Sequence, residues 1–281
     1  MTKNSSLRSI YCLAVLTIIG DTAIILRFSG NTANDLIGIV AAVVTAALLG
    51  LVVKTAACVG GLRAKTIYVK KICFGAGALL LSLSAVLTAY NFSQYAAEVM
   101  LKGVKSVVPF IIFGGLFVFA GTKKKNTLLK LSAVLAAPTV LLIALMFSFS
   151  AQFMSLKYLI PYKEPTFGGV LSAFMKVFPT LAFSSLALSG LGERVKRLHF
   201  LGFFGIGAFF ILLCVINVLG IFGSEFASTL RFPYSEAVST ASLGHVFSRL
   251  DGMLYAVCFF TCGVKVSASV WVALRFIRKI L

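Results

Sequence analysis

Eight apolar stretches, each near the length that crosses a bilayer, limit what this chain can fold into. About 20 helical residues, rising 1.5 Å each, cover the roughly 30 Å of membrane hydrocarbon. The stretches cover residues 9–27, 35–54, 72–90, 107–121, 128–148, 167–191, 200–222 and 252–276. With 59% hydrophobic and 12% charged residues, the chain has more apolar surface than one soluble core of 281 residues could bury. We therefore predict an all-α integral membrane protein, a single multi-pass domain over residues 1–281.

The positive charge of the chain follows from its predicted topology. The formal net charge is +18, which in a soluble protein would indicate nucleic acid or another anionic partner. When the loops are assigned alternately, seventeen of the 26 Lys and Arg residues lie on one side and seven on the other. Short loops rich in Lys and Arg stay in the cytoplasm, so both termini are predicted to be cytoplasmic. We expect lipid and no nucleic acid as partner.

An aspartate interrupts the first apolar stretch, in "LTIIGDTAII" at residues 16–25. Glycine permits a break in a helix, and an aspartate can cap a new half-helix by accepting backbone N–H bonds. Non-helical backbone at membrane depth is tolerated where it lines a cavity. The pattern predicts a break at Gly20, Asp21 and Thr22. The alternative is an unbroken helix in which Asp21 is an internal structural partner.

Two lysines also lie inside apolar stretches. Lys265, in "FFTCGVKVSAS", is deep in the eighth stretch, at a depth similar to that of Asp21. A charge in hydrocarbon costs several kcal/mol, so it usually faces a cavity or an opposite charge. Asp21 and Lys265 would neutralise each other if the first and eighth spans are neighbours. Lys176 is nearer to a surface, and it either snorkels outward or faces a cavity.

The sixth apolar stretch predicts a second break. Pro179 removes one internal hydrogen bond, and the hydroxyls of Ser184 and Ser185 can satisfy freed backbone groups or a ligand. Breaks in the first and sixth spans, which run in opposite directions, are typical of inverted repeats of five spans. We predict a first repeat over about 9–149 and a partial inverted repeat over about 167–276.

Several segments resemble a known family. They are "QYAAEVMLKGVKSVVP" at 94–109, "MSLKYLIPYKEPTFGGVLSAF" at 154–174, "GERVKR" at 192–197 and "FPYSEAVSTASLGHVFSRLDGMLYAVCFFTCGVKVSASVWVA" at 232–273. In these the chain resembles the B subunits of spore germination receptors, the GerAB-type permeases of the amino acid/polyamine/organocation transporter superfamily. That family often carries a lysine deep in its eighth span, as Lys265 is here.

The resemblance implies a fold, a function and partners. The fold would be a LeuT-like inverted-repeat helical bundle, incomplete because the family usually has ten spans and this chain about eight. The protein would bind a small germinant, typically an amino acid, in the inner membrane of a bacterial spore. Its partners would be the A subunit and the lipoprotein C subunit of the receptor. The ligand site would comprise the residues Gly20, Asp21, Thr22, Ser184, Ser185 and Lys265.

Two other functions stay open on the sequence alone. One is a proton-coupled amino acid transporter of the same fold, in which Asp21 or Lys265 titrates during the cycle. The other is a scaffold subunit that packs against partners and binds nothing. We expect no enzyme activity, cofactor or metal. Neither histidine has a second ligand four residues away, and the pair Cys258 and Cys262 lacks further zinc ligands.

Overall fold

The computed structural model describes residues 3–20, 24, 26–58, 67–161, 163–191, 197–240 and 250–280, and within them it is helical with no β-strand. A π-helical turn, Ala96–Met100, extends the third helix, and a 3-10 turn, Ala151–Phe153, extends the fifth. Within the described ranges the α-helices in chain order are α1 Lys3–Ile19, α2 Thr32–Cys58, α3 Ile67–Tyr95, α4 Val107–Gly121, α5 Lys125–Ser150, α6 Leu156–Leu159, α7 Phe167–Leu191, α8 Arg197–Thr229, α9 Pro233–Thr240 and α10 Leu250–Ile280.

Six of these helices are long and apolar enough to cross a membrane. Their apolar segments are Thr32–Val52, Phe74–Met100, Lys125–Phe153, Phe167–Ser189, Phe204–Thr229 and Gly252–Arg278. The two other predicted spans, the first and the fourth, are shorter apolar helices, Arg8–Ile19 and Val107–Gly121. A helix of twelve residues rises only about 18 Å, so the first of them reaches about half way through a bilayer. The prediction of a multi-pass helical membrane protein is confirmed.

Helix α10 lies at the centre of the bundle. It packs against α1, α3, α4, α5, α7 and α9, and 67% of its apolar span is buried, the largest share among the six spans. The other helices carry apolar side chains that are turned outward, such as Val44 on α2, Leu79 on α3 and Ile111 on α4. Exposed apolar side chains of this size suit lipid contact, because lipid tails are as apolar as the side chains themselves.

Helix α7 is continuous, so the predicted break at Pro179 is wrong. The helix runs from Phe167 to Leu191 with Pro179 inside it. A proline removes a single backbone hydrogen bond, and in membrane helices neighbouring hydroxyls and helices compensate for that loss. The carbonyl that Pro179 leaves without its helical donor is that of Met175. Beside it, the hydroxyl of Ser184 and Nζ of Lys265 lie 2.9 and 3.4 Å from the carbonyl oxygen of Thr180, the residue after the proline.

A break that the sequence did not predict lies in α8. Gly223 has φ 70° and ψ 163°, which divides the helix six residues before its end at Thr229. This left-handed conformation favours glycine. The next residue, Ser224, is buried and hydrogen-bonded to Asp35 at the start of α2. Since the second discontinuity lies in α8 and not in α7, the pattern of breaks differs from the one predicted for an inverted repeat.

Helix α9 follows α8 and is inserted into the bundle. Tyr234, Ala237 and Val238 are each 2% exposed or less, and the helix packs against α8 and α10. The helical spacing of apolar residues in "SEAVSTASLGHVFSRL", residues 235–250, predicts a short interfacial helix or an external lid in the outer segment 224–251, of which 241–249 lie outside the described residues. A helix is present over part of that segment, but one of its faces belongs to the apolar core.

A close contact between α2 and α7 predicts that two glycine substitutions differ in their effect on stability. A Cβ at Gly38 of α2 would lie 2.6 Å from the Cβ of Ala173 and 2.8 Å from the carbonyl oxygen of Val170, both on α7. We expect Gly38→Ala to lower the free energy of unfolding by about 1–3 kcal/mol through overpacking. Thermal unfolding of the purified protein in detergent measures this. The control is Gly168→Ala on α7, where an added Cβ has no neighbour within 4 Å. Equal melting temperatures of the two variants would contradict the close crossing.

Candidate functional site

The site is built around the place where α1 ends inside the membrane. The helix stops at Ile19, and Gly20 closes its last turn by donating its N–H to the carbonyl oxygen of Leu16 at 2.8 Å. Gly20 has φ 37°, and a Cβ there would lie 2.6 Å from Cδ of Lys265 and 2.9 Å from the carbonyl oxygen of Thr17. Only glycine fits this backbone conformation and this contact. The helix ends where the sequence predicted a break.

Side chains from two other helices bind the carbonyl groups at this end of α1. The last carbonyls of a helix have no partner within it, and in a membrane they must find one elsewhere. The hydroxyl of Ser184 on α7 lies 3.0 Å from the carbonyl oxygen of Thr17 and 2.9 Å from that of Thr180, and these two carbonyls share its single proton. The hydroxyl of Thr261 on α10 donates to the carbonyl oxygen of Gly20 at 2.7 Å, and the thiol of Cys262 lies 3.6 Å from the same oxygen. The end of α1 is therefore held between α7 and α10.

Lys265 lies across the same helix end. It is 1% exposed, and it stands thirteen residues from either end of the apolar segment Gly252–Arg278, at the middle of the predicted membrane. Its aliphatic stem packs on Gly20, and its Nζ donates to the carbonyl oxygen of Thr180 on α7 at 3.4 Å. The ammonium group of Lys265 thus lies between α1, which ends at Ile19, and the continuous helix α7.

The structure brings together three of the six predicted site residues. Gly20, Ser184 and Lys265 meet at the end of α1, and the first and eighth spans, whose adjacency the sequence left open, are neighbours. Ser185 is buried one residue further on, and its hydroxyl donates to the carbonyl oxygen of Ala182 in its own helix at 2.7 Å. Asp21 and Thr22 lie outside the described residues, so the pairing of Asp21 with Lys265 stays a prediction.

Sequence reasoning missed three groups that complete the site: the hydroxyl of Thr261, the carbonyl of Thr17 and the thiol of Cys262. Thr261 precedes Lys265 by four residues, which places both on one face of α10. This spacing of four residues is the sequence signal that assigns Thr261 to the same site as Lys265. Thr17 was overlooked because it contributes through its backbone carbonyl, which every residue has. Cys262 was examined only as a metal ligand with Cys258, whereas its thiol faces the backbone of Gly20.

A second polar cluster holds residues 26–29, the segment that follows the end of α1. Residues 26–29 are non-helical, and Leu26 and Phe28 are buried. Asp35, fully buried in the first turn of α2, accepts hydrogen bonds from the N–H of Ser29 at 2.7 Å and from the hydroxyl of Ser224 at the α8 break. Lys176 donates to the carbonyl oxygen of Phe28 at 3.0 Å. Lys176 therefore contacts the segment that follows the α1 break.

The arrangement is chemically suited to holding a small charged solute. A buried ammonium group attracts a carboxylate strongly where water is excluded. The C-terminal end of a helix carries partial negative charge, which favours an ammonium group. Hydroxyl groups such as those of Ser184 and Thr261 rotate, so they can exchange a protein partner for a ligand.

Neither a protein-family model nor a curated protein matches this chain.

The hydrogen bond between Thr261 and Gly20 predicts a specific loss of stability. Thr261→Val keeps the shape of the side chain and removes the donor, which leaves a buried carbonyl poorly satisfied. We expect a loss of about 1–3 kcal/mol in the free energy of unfolding, measured by denaturant titration in detergent. The matched control is Thr45→Val, because the exposed Thr45 hydroxyl bonds only within its own helix, to Ala41. A loss of the same size in both variants would exclude a special role for the α1 end.

Proposed function

We propose that this protein is the membrane subunit of a spore nutrient receptor, and that it binds a small germinant such as an amino acid at the end of α1. The observation that carries the proposal is the burial of Lys265 at the middle of α10, directly against the interruption of α1 at Gly20. Two costly features, a buried charge and non-helical backbone, occur together at membrane depth. Such features in membrane proteins usually belong to a solute or ion pathway.

Broken helices give transport-type folds their binding sites. The open ends of the half-helices present backbone groups at the centre of the membrane, and a substrate takes up the groups that the helix no longer satisfies. In this protein Ser184 and Thr261 now bind the carbonyls of Thr17 and Gly20. A zwitterion would place its carboxylate beside Lys265 and its ammonium against these carbonyls. Each charge of an amino acid would therefore have a partner of opposite charge, Lys265 for the carboxylate and the carbonyls at the end of α1 for the ammonium group.

Ligand binding would exchange existing contacts for new ones. Lys265 now donates to Thr180, and Ser184 joins the same helix α7 to α1. A ligand that took over these donors would loosen the attachment of α1 to α7. A ligand shifts a conformational equilibrium only through different affinities for the two states, and this exchange supplies such a difference. The change in attachment is the proposed signal to the A and C subunits in the spore inner membrane.

A proton-coupled amino acid transporter is the second candidate. It is favoured by the position of Lys265, because an ionisable group at the middle of a membrane helix is typical of proton relays. Uptake of radiolabelled amino acids into proteoliposomes under an imposed proton gradient separates the two functions. A receptor subunit binds without accumulating solute, whereas a transporter concentrates it. Binding without uptake supports the receptor, and the absence of both indicates a scaffold.

Replacing the buried lysine provides the central test. We expect Lys265→Met to weaken the binding of the recognised amino acid by about tenfold to a hundredfold, because a hydrogen bond to a charged group contributes about 1.5–3 kcal/mol. The twenty standard amino acids, each radiolabelled, are tested against the purified full chain in a scintillation proximity assay. The control is Lys130→Met, which removes the same charge from an exposed position on α5.

The receptor role is tested in spores of the source bacterium. A deletion strain should germinate slowly on the recognised nutrient, the gene for Lys130→Met should restore the rate, and that for Lys265→Met should not. Immunoblotting of spore membranes checks that both variants accumulate equally. Full germination with Lys265→Met at normal abundance would overturn the proposal.

A further inference from the structure

An apolar groove with a volume of about 370 Å³ runs along the outside of the bundle between α3, α4 and α10. Small residues from two helices form its floor, including Ala85, Gly114 and Gly115, and a Cβ at Gly115 would have no neighbour within 4 Å. Its rim carries exposed apolar side chains, among them Val86, Ile111 and Ile277. The groove therefore opens toward the surrounding lipid, and it is separate from the site at the end of α1.

On α10 the groove covers one half of the apolar segment. Its lining there runs from Val266, next to the central Lys265, to Ile277 near the end of that segment. The eleven steps between these two residues rise about 16 Å, close to the roughly 15 Å of hydrocarbon in a single leaflet. The lining on α10 is therefore as long as one acyl chain in one leaflet. A spanning helix would need a surface about twice as long.

Packed aromatic rings lie next to one end of the groove lining on α3 and α10. Phe92, Phe113 and Phe259 come from the same three helices, and their ring centroids are 5.4 to 6.0 Å apart. Phe92 is one turn beyond the groove residue Ala89 on α3, and Phe259 is two turns beyond Val266 on α10. On α4 the lining includes residues on both sides of Phe113, so the rings bound the groove on α3 and α10 only.

The opposite end of the groove is basic. Lys71 lies three turns from the groove residue Ser82, on the same face of α3, and it is exposed. Arg278 is exposed next to Ile277 on α10, and the two helix ends approach each other where a Cβ at Gly75 would lie 3.8 Å from Ile280. The sequence has no Asp or Glu in 36–97, 99–163 or 252–281, which include α3, α4 and the end of α10. No acidic residue of these segments offsets the positive charge.

We propose that the groove is a binding site for an anionic phospholipid of one leaflet, whose acyl chain lies between α3, α4 and α10 and whose phosphate binds Lys71 and Arg278. The lining on α10 is as long as one acyl chain, the groove is apolar, and basic residues beyond the end at Ile277 have the charge that an anionic headgroup requires. Basic residues near a membrane surface attract anionic lipids by about 1 kcal/mol each, which corresponds to about fivefold per residue. The proposal does not depend on the function proposed above.

Native mass spectrometry tests the site with defined lipids. The purified full chain is delipidated in detergent and titrated with phosphatidylglycerol or with phosphatidylcholine of the same acyl chains. We expect the wild type to retain one phosphatidylglycerol with at least tenfold preference. Gly115→Leu, which places a side chain in the groove, should reduce that occupancy at least tenfold. The control is Gly205→Leu on α8, another exposed helical glycine with open space around it.

A pair of charge variants tests the headgroup contact separately. Lys71→Gln combined with Arg278→Gln should bring the preference for phosphatidylglycerol below about threefold while a lipid of either kind still binds. Lys130→Gln combined with Lys157→Gln removes the same charge from other exposed positions and should leave the preference unchanged. Thermal unfolding confirms that each variant folds.

Three outcomes would overturn the proposal. One is equal retention of both lipids by the wild type, and another is unchanged occupancy in Gly115→Leu. The third is a groove that binds no lipid and instead cross-links to a transmembrane helix of a partner through a cysteine introduced at position 115.

Discussion

The structure depends on how the carbonyl groups at the end of α1 obtain hydrogen-bond donors inside the membrane. A helix that stops half way leaves carbonyl groups where no water can reach them, and each unsatisfied group costs several kcal/mol. Here Ser184 binds the carbonyl of Thr17, Thr261 binds that of Gly20, and the stem of Lys265 covers the glycine. These contacts fix α1 against both α7 and α10. The central position of α10 follows, because the helix that supplies two of these side chains must reach the interruption from within the bundle.

The two unusual backbone positions are connected through the chain that follows the site. Gly20 ends α1, and Gly223 divides α8. Between them, residues 26–29 are held by Lys176 through Phe28 and by Asp35 through Ser29, and Asp35 also accepts from Ser224 beside the α8 break. A displacement of α1 at Gly20 therefore acts on a segment that is bonded to α2 and α7, and through Asp35 to α8. Through these contacts, a movement at the proposed ligand site would also displace α2, α7 and α8.

The sequence predicted what depends on local chemistry. Apolar length identified the helices, and the pair Gly20 and Asp21 identified the end of α1, because glycine beside a polar residue interrupts an apolar helix directly. The break at Pro179 was wrong because one missing hydrogen bond does not end a helix that its neighbours support. Gly223 was missed because its conformation depends on tertiary contacts, with Ser224 bonded to Asp35 and Tyr158 beside Gly223. The meeting of Lys265 with Gly20 and Ser184 required knowledge of which helices are neighbours.

Helix α10 carries the two proposed sites on different faces. Thr261 and Lys265 face the end of α1, whereas Val266 and Val270 line the lipid-facing groove. With 100° between successive residues, the mean directions of these two pairs differ by about 140° around the helix axis. A rotation or tilt of α10 that moves Lys265 relative to Gly20 must therefore also move the wall of the groove against α3 and α4. Because packed helices are close to incompressible, occupation of the groove and the contacts of the buried lysine are mechanically linked through one rigid element.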